Sequence, residues 1–372
     1  MNEAPKPSLF AFYRRTEART EALRSGDLGG HGSHLFMGAD LLQRHGWHLE
    51  TNIPREPGRF AHQLGTRVSN FLFRTGAYGG DFPTCLANLG RANHADVVWS
   101  TVDTTGIPLA WLKRVGRLHP PLVYTSIGLP ERLDGLRPGK GRDRLLRALG
   151  TCDRMLCFGW EEARRLREIL PEMSEQIRFV PYGVDTEAWQ PLETAKTVDV
   201  LSLGMDWQRD FGALRHLAES RPDLRLKFIT SPELAEKAGP FPSNVRLSPP
   251  VPLKEIPREM AAAKVVTLPV KENTYSGATT TLLQAMSMGL PVVVSRVGAI
   301  REGYGFETRD SCRLVAPDSP GEMAEAVIGL LADEAERAAL GARARAHAVQ
   351  DFAWSAFVSR VEDILRALSP QF

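Results

Sequence analysis

Hydrophobic and polar positions along this chain fall into two alternating patterns. Short β-branched or aromatic runs are followed by stretches whose apolar residues recur at helical spacing. LFAFY (residues 9–13) and HLETNI (48–53) predict the first two strands. DVVWSTVD (96–103) predicts a buried strand, IPLAWLKRVG a helix, and PLVYTSIG (121–128) the next strand. TCDRMLCFG, EEARRLREIL and IRFVPYG continue the rhythm. VDVLSLG (198–204) restarts it after a polar, Pro-containing link over 185–197. Strands that alternate with helices predict parallel sheets covered on both faces, so the expected fold class is α/β, in two halves. Residues 54–82, rich in Arg, Gly and aromatic residues, do not resolve into either pattern. The chain closes on a run in which Phe352, Trp354, Phe357, Val361, Ile364 and Leu365 suit a helix packed on something large.

The sharpest unit is residues 265–295, which read strand, loop, helix, turn, strand. VVTLPV ends in a polar loop, KENTYSG, where Gly277 is free to take an unusual backbone angle. Ala278, Leu282, Leu283, Ala285 and Met286 mark a helix, Gly289 and Pro291 stop it, and VVVS begins the next strand. A helix crossover makes these two strands parallel neighbours. The loop then feeds a helix N-terminus, whose free amides and positive dipole suit a phosphate. Tyr275, Ser276, Gly277, Ala278, Thr279 and Thr280 are the candidates to hold a diphosphate, with hydroxyls from Ser276, Thr279, Thr280 and Thr281. Spacing alone leaves open an ordinary βαβ unit with a polar loop.

In the first half, Gly26, Gly29, Gly30 and Gly32 form a turn between the first strand and a helix face of Leu35, Phe36, Ala39, Leu41 and Leu42. Such a turn lets backbone approach a ligand, but it lacks the dinucleotide pattern of glycines. In parallel sheets ligands sit beyond the strand C-termini, so Thr101, Asp103, Ser126 and Gly128 are expected to point at the site.

The 372 residues suffice for two domains, and 43% apolar with 24% charged composition marks a folded protein. No apolar run approaches the roughly 20 residues of a membrane helix. The N-terminus lacks the apolar core of a secretory signal. Cys85, Cys152, Cys157 and Cys312 show no metal spacing and read as reduced thiols of a cytoplasmic protein. Net charge is +2 but uneven: residues 1–180 hold 25 Lys and Arg against 19 Asp and Glu, the remainder 21 against 25. Arg137, Lys140, Arg142, Arg144 and Arg147 make either a solvated helix face or a weak contact with the anionic inner surface of a membrane. No nucleic-acid partner and no metal are expected.

LLQAMSMGLPVVVS resembles the donor-site signature of the retaining group 1 (family four) glycosyltransferases. That signature reads glutamate, seven residues, glutamate, then A-M-A-x-G-x-P-V-V; Ser276 takes the first glutamate's place and Gln284 the second's. PYGVD (181–185) resembles the family's interdomain P-N-G-V-D, with Tyr182 for the asparagine. The resemblance covers residues 8–369. It implies two Rossmann-like domains facing across a cleft (GT-B). Residues 1–185 would be the acceptor side, 186–351 the donor domain, and 352–372 a helix packing back on the first domain. It implies metal-independent, retaining transfer of a sugar from a UDP- or GDP-linked donor to a glycan, lipid-linked or small-molecule acceptor, with no cofactor. After the strand ending at Gly204 the family carries an arginine and a lysine for the diphosphate. Met205 stands at the arginine's place and Arg209 within one position of the lysine's, so Arg209 is expected to neutralise the diphosphate. Gly29 and Gly30 would lie near the donor phosphate, Gln284 would hold the ribose, and Glu272 is an alternative acid from the preceding loop. His31 and Ser126 would face the acceptor. The family often has a histidine where Ile127 stands here, and Asp103 is the nearest ionisable replacement. These missing groups leave two other readings open: a nucleotide- or glycan-binding partner without activity, and a nucleotide-sugar epimerase.

Overall fold

The computed structural model describes residues 6–26, 28–275 and 277–369. Its contacts divide the chain into two units: residues up to Val180 together with those from Val358 onward, and Pro181–Phe357. Among the described residues no helix is long and apolar enough to cross a membrane.

Unit 1 is built on six parallel strands: β1 (Ser8–Phe12), β2 (His48–Thr51), β3 (Val97–Ser100), β4 (Leu122–Ser126), β5 (Arg154–Cys157) and β6 (Ile177–Phe179). They lie in the order β2-β1-β3-β4-β5-β6. Every residue of β3 and β4 is buried, as expected for strands covered on both faces. On one face Phe10, Phe12 and Tyr124 pack with Leu145, Leu149 and Leu166 from the covering helices. The stretch that the sequence left unread is helical. Arg59–Arg74 is one helix, and Phe82–Ala92 is a second, N-capped by Asp81 accepting from the Thr84 amide at 3.1 Å. The helix expected from Ile107 begins four residues earlier and spans Asp103–Arg114, with Pro108 inside it.

The final helix, Trp354–Arg366, contributes its later turns to unit 1. Val358 packs on Gly38, whose φ of 87° and lack of a Cβ allow that approach. Glu362 accepts from the Trp47 indole at 3.1 Å and meets His45 Nδ1 at 2.5 Å.

Unit 2 carries β7 (Val198–Leu203), β8 (Leu226–Ile229), β9 (Val245–Ser248), β10 (Ala263–Leu268), β11 (Val292–Ser295) and β12 (Arg313–Val315), again all parallel. Their order is β12-β11-β10-β7-β8-β9. From β7 the chain builds outward through β8 and β9, then returns to β10 on the other side. The order therefore reverses between β7 and β10, and the crevice beyond such a reversal is where open α/β sheets take ligands.

Candidate functional site

At the reversal in unit 2, β7 ends at Leu203, just before Gly204, and β10 runs into residues 269–278. The two loops are stitched together. Asp210 N–H donates to the Pro269 carbonyl at 3.1 Å, and Lys271 N–H to that of Gln208 at 2.8 Å. The Tyr275 hydroxyl lies 3.3 Å from the Asp206 carboxylate, and a Cβ on Gly277 would meet that same carboxylate. Val270 is pinned to β11 through its amide and the Ser295 hydroxyl at 3.0 Å.

Arg209 lies inside this crossing at 4% exposure. Its Nη2 donates to the Leu203 carbonyl, while Nε and Nη1 are buried without a partner among the described residues. Burial pulls the guanidinium down to about 10, with Asp206 acting in the opposite sense, so the group remains a cation at neutral pH. Gly204 makes the position possible. Its φ is 148°, and any Cβ there would overlap the guanidinium. A buried cation with two unmet donors is costly, by several kcal/mol for the charge alone. An anion entering between the loops would meet both donors.

Two further features face the same strand ends. Among the described residues, the helix Thr279–Ser287 starts without a side-chain cap, and Thr279 Oγ1 is buried without a partner. Thr230, directly after β8 and beside Gly204 in register, also buries a partnerless hydroxyl. Sequence reasoning passed over Thr230 and Asp206. The strand pairing that sets Thr230 against Gly204 is the signal that could have found the first.

The remaining donor candidates are distributed as follows. Tyr275 and Gly277 are half-buried, Ala278 is buried at the helix N-cap, and Thr280 follows Thr279 in the first turn. Ser276 lies outside the described residues. Gln284 is buried in the second turn of the helix. Glu272 is already engaged: it accepts from the Gly298 amide at 2.7 Å and pairs with Arg301 at 3.0 Å.

In unit 1 the strand-end residues correct the expectation that they point outward. Asp103 is 1% exposed; its Oδ1 accepts from the Tyr124 hydroxyl at 2.6 Å and the Ile127 amide at 3.2 Å. Burial pushes its carboxyl up to about 6 against those hydrogen bonds and the nearby Arg132. The Ser126 hydroxyl is turned to Glu162 at 2.6 Å, and the same carboxyl oxygen accepts from the Gly128 amide at 2.7 Å. Burial raises Glu162 well above the carboxylate range. Both acids thus brace the turn after β4, because a helix's first residues fold their side chains back onto the strand ends. Gly29 and Gly30 open the short 3₁₀ turn Gly30–Leu35, which holds a half-buried His31 and His34; burial brings His34 down to about 4. Gly29 packs on Asp40. Among the described residues no group of three or more His, Cys, Asp or Glu is placed to hold a metal ion.

Comparison with known proteins gives a consistent picture. Residues 210–333 match the family model described as glycosyl transferases group 1, and residues 28–188 that of glycosyltransferase family 4. A D-inositol 3-phosphate glycosyltransferase of Kineococcus radiotolerans is 34% identical over 411 aligned positions, covering 92% of this chain and 91% of the relative. Among solved structures, a sucrose-phosphate synthase from Thermosynechococcus elongatus superposes with a TM-score of 0.71 at 15% identity, over 98% of this chain and 99% of the other. Anabaena HepE in complex with UDP-glucose superposes at 0.65 and 16% identity, over 97% and 100%. At such identities these structures share the fold.

Proposed function

The chain belongs to the group 1 (family 4) glycosyltransferases, and we propose that it moves a sugar from a UDP-linked donor to an acceptor hydroxyl with the anomeric configuration retained and without a metal ion. One observation carries this reading: the buried Arg209 guanidinium, with Nε and Nη1 unmet, at the strand reversal of unit 2. A diphosphate is the anion that fits. Its charge grows as the sugar leaves, and a fixed cation with uncapped helix amides opposes that growth without reorganising. Arg209 holds the diphosphate from one loop, and the amides of Thr279 and Thr280 hold it from the other. Thr230 and Gly204 lie on the side toward β8, where the rest of the nucleotide extends.

UDP is favoured over GDP because the similar structures of HepE and of the Escherichia coli trehalose protein contain UDP-glucose and UDP-2-fluoro glucose. The acceptor class we infer is a small phosphorylated polyol or sugar, since the relatives named include inositol-phosphate and sucrose-phosphate enzymes. Asp103 and Ser126 are not assigned to the chemistry, for both are buried in the bracing of unit 1.

The test is a panel of nucleotide sugars with sugar-phosphate acceptors, run for the native chain and for Arg209→Ala and Arg209→Lys. Removing one such donor typically costs about 10²–10³ in turnover, so Arg209→Ala should lose at least that order. Arg209→Lys should recover only part, because an ammonium lacks the planar fork. Unchanged turnover of Arg209→Ala at saturating donor overturns the assignment. Inverted configuration at one sugar carbon, without transfer, would instead make the chain an epimerase.

A further inference from the structure

Three phenylalanines of unit 1 stand in water on one helix. On Arg59–Arg74, Phe60 is 79% exposed, Phe71 62% and Phe73 78%. Large apolar side chains grouped in this way mark a contact surface rather than chance exposure. At about 100° per residue, Phe60, Leu64 and Phe71 fall within about 40° of one another and form a stripe. The stripe borders an apolar groove of about 290 Å³ that Val68, Phe82, Trp111 and Val115 also line. Phe73 lies on the opposite side of the helix, about 140–180° from the stripe, and is not part of it.

Cations fill the space between. Arg59, Arg67 and Arg74 project between Phe73 and the stripe, and Arg114 ends the helix that supplies Trp111. All four are exposed, and none forms an ion pair among the described residues. The helices Arg59–Arg74 and Phe82–Ala92 contain no acidic residue, and the third, Asp103–Arg114, has only the buried Asp103. The helix Lys140–Leu149 extends the charge. Its Gly141 sits so close to Thr75 that a Cβ would overlap the Thr75 carbonyl, which sets the exposed Lys140 beside the end of Arg59–Arg74.

We propose that this face seats unit 1 on an anionic lipid bilayer. Phe60 and Phe71 enter the boundary between headgroups and acyl chains, and the arginines beside that stripe meet lipid phosphates. A second copy of the chain fits less well, because a self-facing contact would bring these unpaired cations together. A free anion would leave the phenylalanines in water. The inference is independent of the donor site, which lies in unit 2.

Vesicle flotation with the full chain tests it. Vesicles of equal parts phosphatidylglycerol and phosphatidylcholine should carry the chain at low salt, and pure phosphatidylcholine roughly tenfold less. Phe60→Ser and Phe71→Ser together should lower partitioning roughly tenfold or more, and Phe73→Ser alone should leave it at the native value. Arg59→Gln, Arg67→Gln and Arg74→Gln should do the same and flatten the salt dependence. The substituted side chains are exposed, so circular dichroism, thermal midpoint and transfer to a water-soluble acceptor should stay at native values. A native chain that floats with neither vesicle, or equally with both, overturns the proposal. So does a double Phe60/Phe71 variant that floats like the native chain, or one that turns a dimer into a monomer in the absence of vesicle binding.

Discussion

Gly204 and Arg209 are a matched pair, and each explains the other. A glycine at φ 148° would be an arbitrary choice at the end of β7 unless something needed the space of its missing side chain; the guanidinium is that group. Gly204→Ala should therefore cost more than the usual 1 kcal/mol or so of a glycine replacement at positive φ. It must also displace Arg209, so UDP affinity by calorimetry should fall with stability, whereas a strain confined to the backbone would spare the affinity. Asp103 gives a prediction of opposite character. Its carboxyl titrates near 3.8 when unfolded and near 6 when buried, so the folded state holds the proton longer. Stability should fall as pH rises from about 4 to about 6, by about 3 kcal/mol at 1.36 kcal/mol per pH unit. Asp103→Asn should remove that slope in urea titrations while keeping an acceptor for Tyr124. A variant with the native slope would place the titration elsewhere, with Glu162 the first suspect. The positions of Asp103 and Ser126 at strand ends were legible in the chain; the direction of their side chains was not, since it depends on partners 21 and 36 residues away. Arg209 was singled out only through the family resemblance, and its burial was not legible in the chain.

At the scale of elements, alternation of β-branched runs and helical spacing was enough to read most strands, because both sheets are parallel and covered on both faces. The failure over residues 54–82 has a physical cause. The helix Arg59–Arg74 turns Phe60, Phe71 and Phe73 outward, which mixes apolar residues into the solvent face and erases the periodic signal. The element that defied the inward rule is the one with an unexplained apolar surface. The closing helix was readable for the contrary reason: Trp354, Phe357, Val361 and Leu365 on its apolar face are all buried. Its hold on unit 1 is partly polar. Burial opposes ionisation of Glu362, yet hydrogen bonds from His45, Arg366 and Trp47 keep its carboxyl below the ordinary range. Such a group lends stability above its unfolded titration and loses it as pH falls. Glu362→Ala should lower stability by about 2 kcal/mol at neutral pH, measured as a urea midpoint. The deficit should shrink in acid, where the native carboxyl is itself neutralised; a deficit independent of pH would mean that only packing was lost.

On the scale of the whole molecule, the two sheets share a plan but not a reversal point: unit 1 turns back between β1 and β3, unit 2 between β7 and β10. A reversal supplies a crevice, not a chemistry, and the residues lining it decide what enters. In unit 1 Asp103 Oδ1 and Glu162 Oε1 accept from β4 and the turn after it, while Glu162 Oε2 and Arg132 Nε are without a hydrogen-bond partner among the described residues. In unit 2 the corresponding strand ends bury partnerless atoms of Arg209, Thr230 and Thr279. What sets unit 2 apart is the buried cation Arg209 at its strand reversal, and that predicts where a nucleotide acts. UDP at about one hundred times its Kd should stabilise the chain by about 2.7 kcal/mol. In hydrogen exchange the added protection should fall on β7, β10 and the first turn of Thr279–Ser287, and leave β1–β6 as they were. Arg209→Ala should abolish most of it. Protection that appears in unit 1 instead, or that survives the loss of Arg209, would move the donor site away from the reversal between β7 and β10.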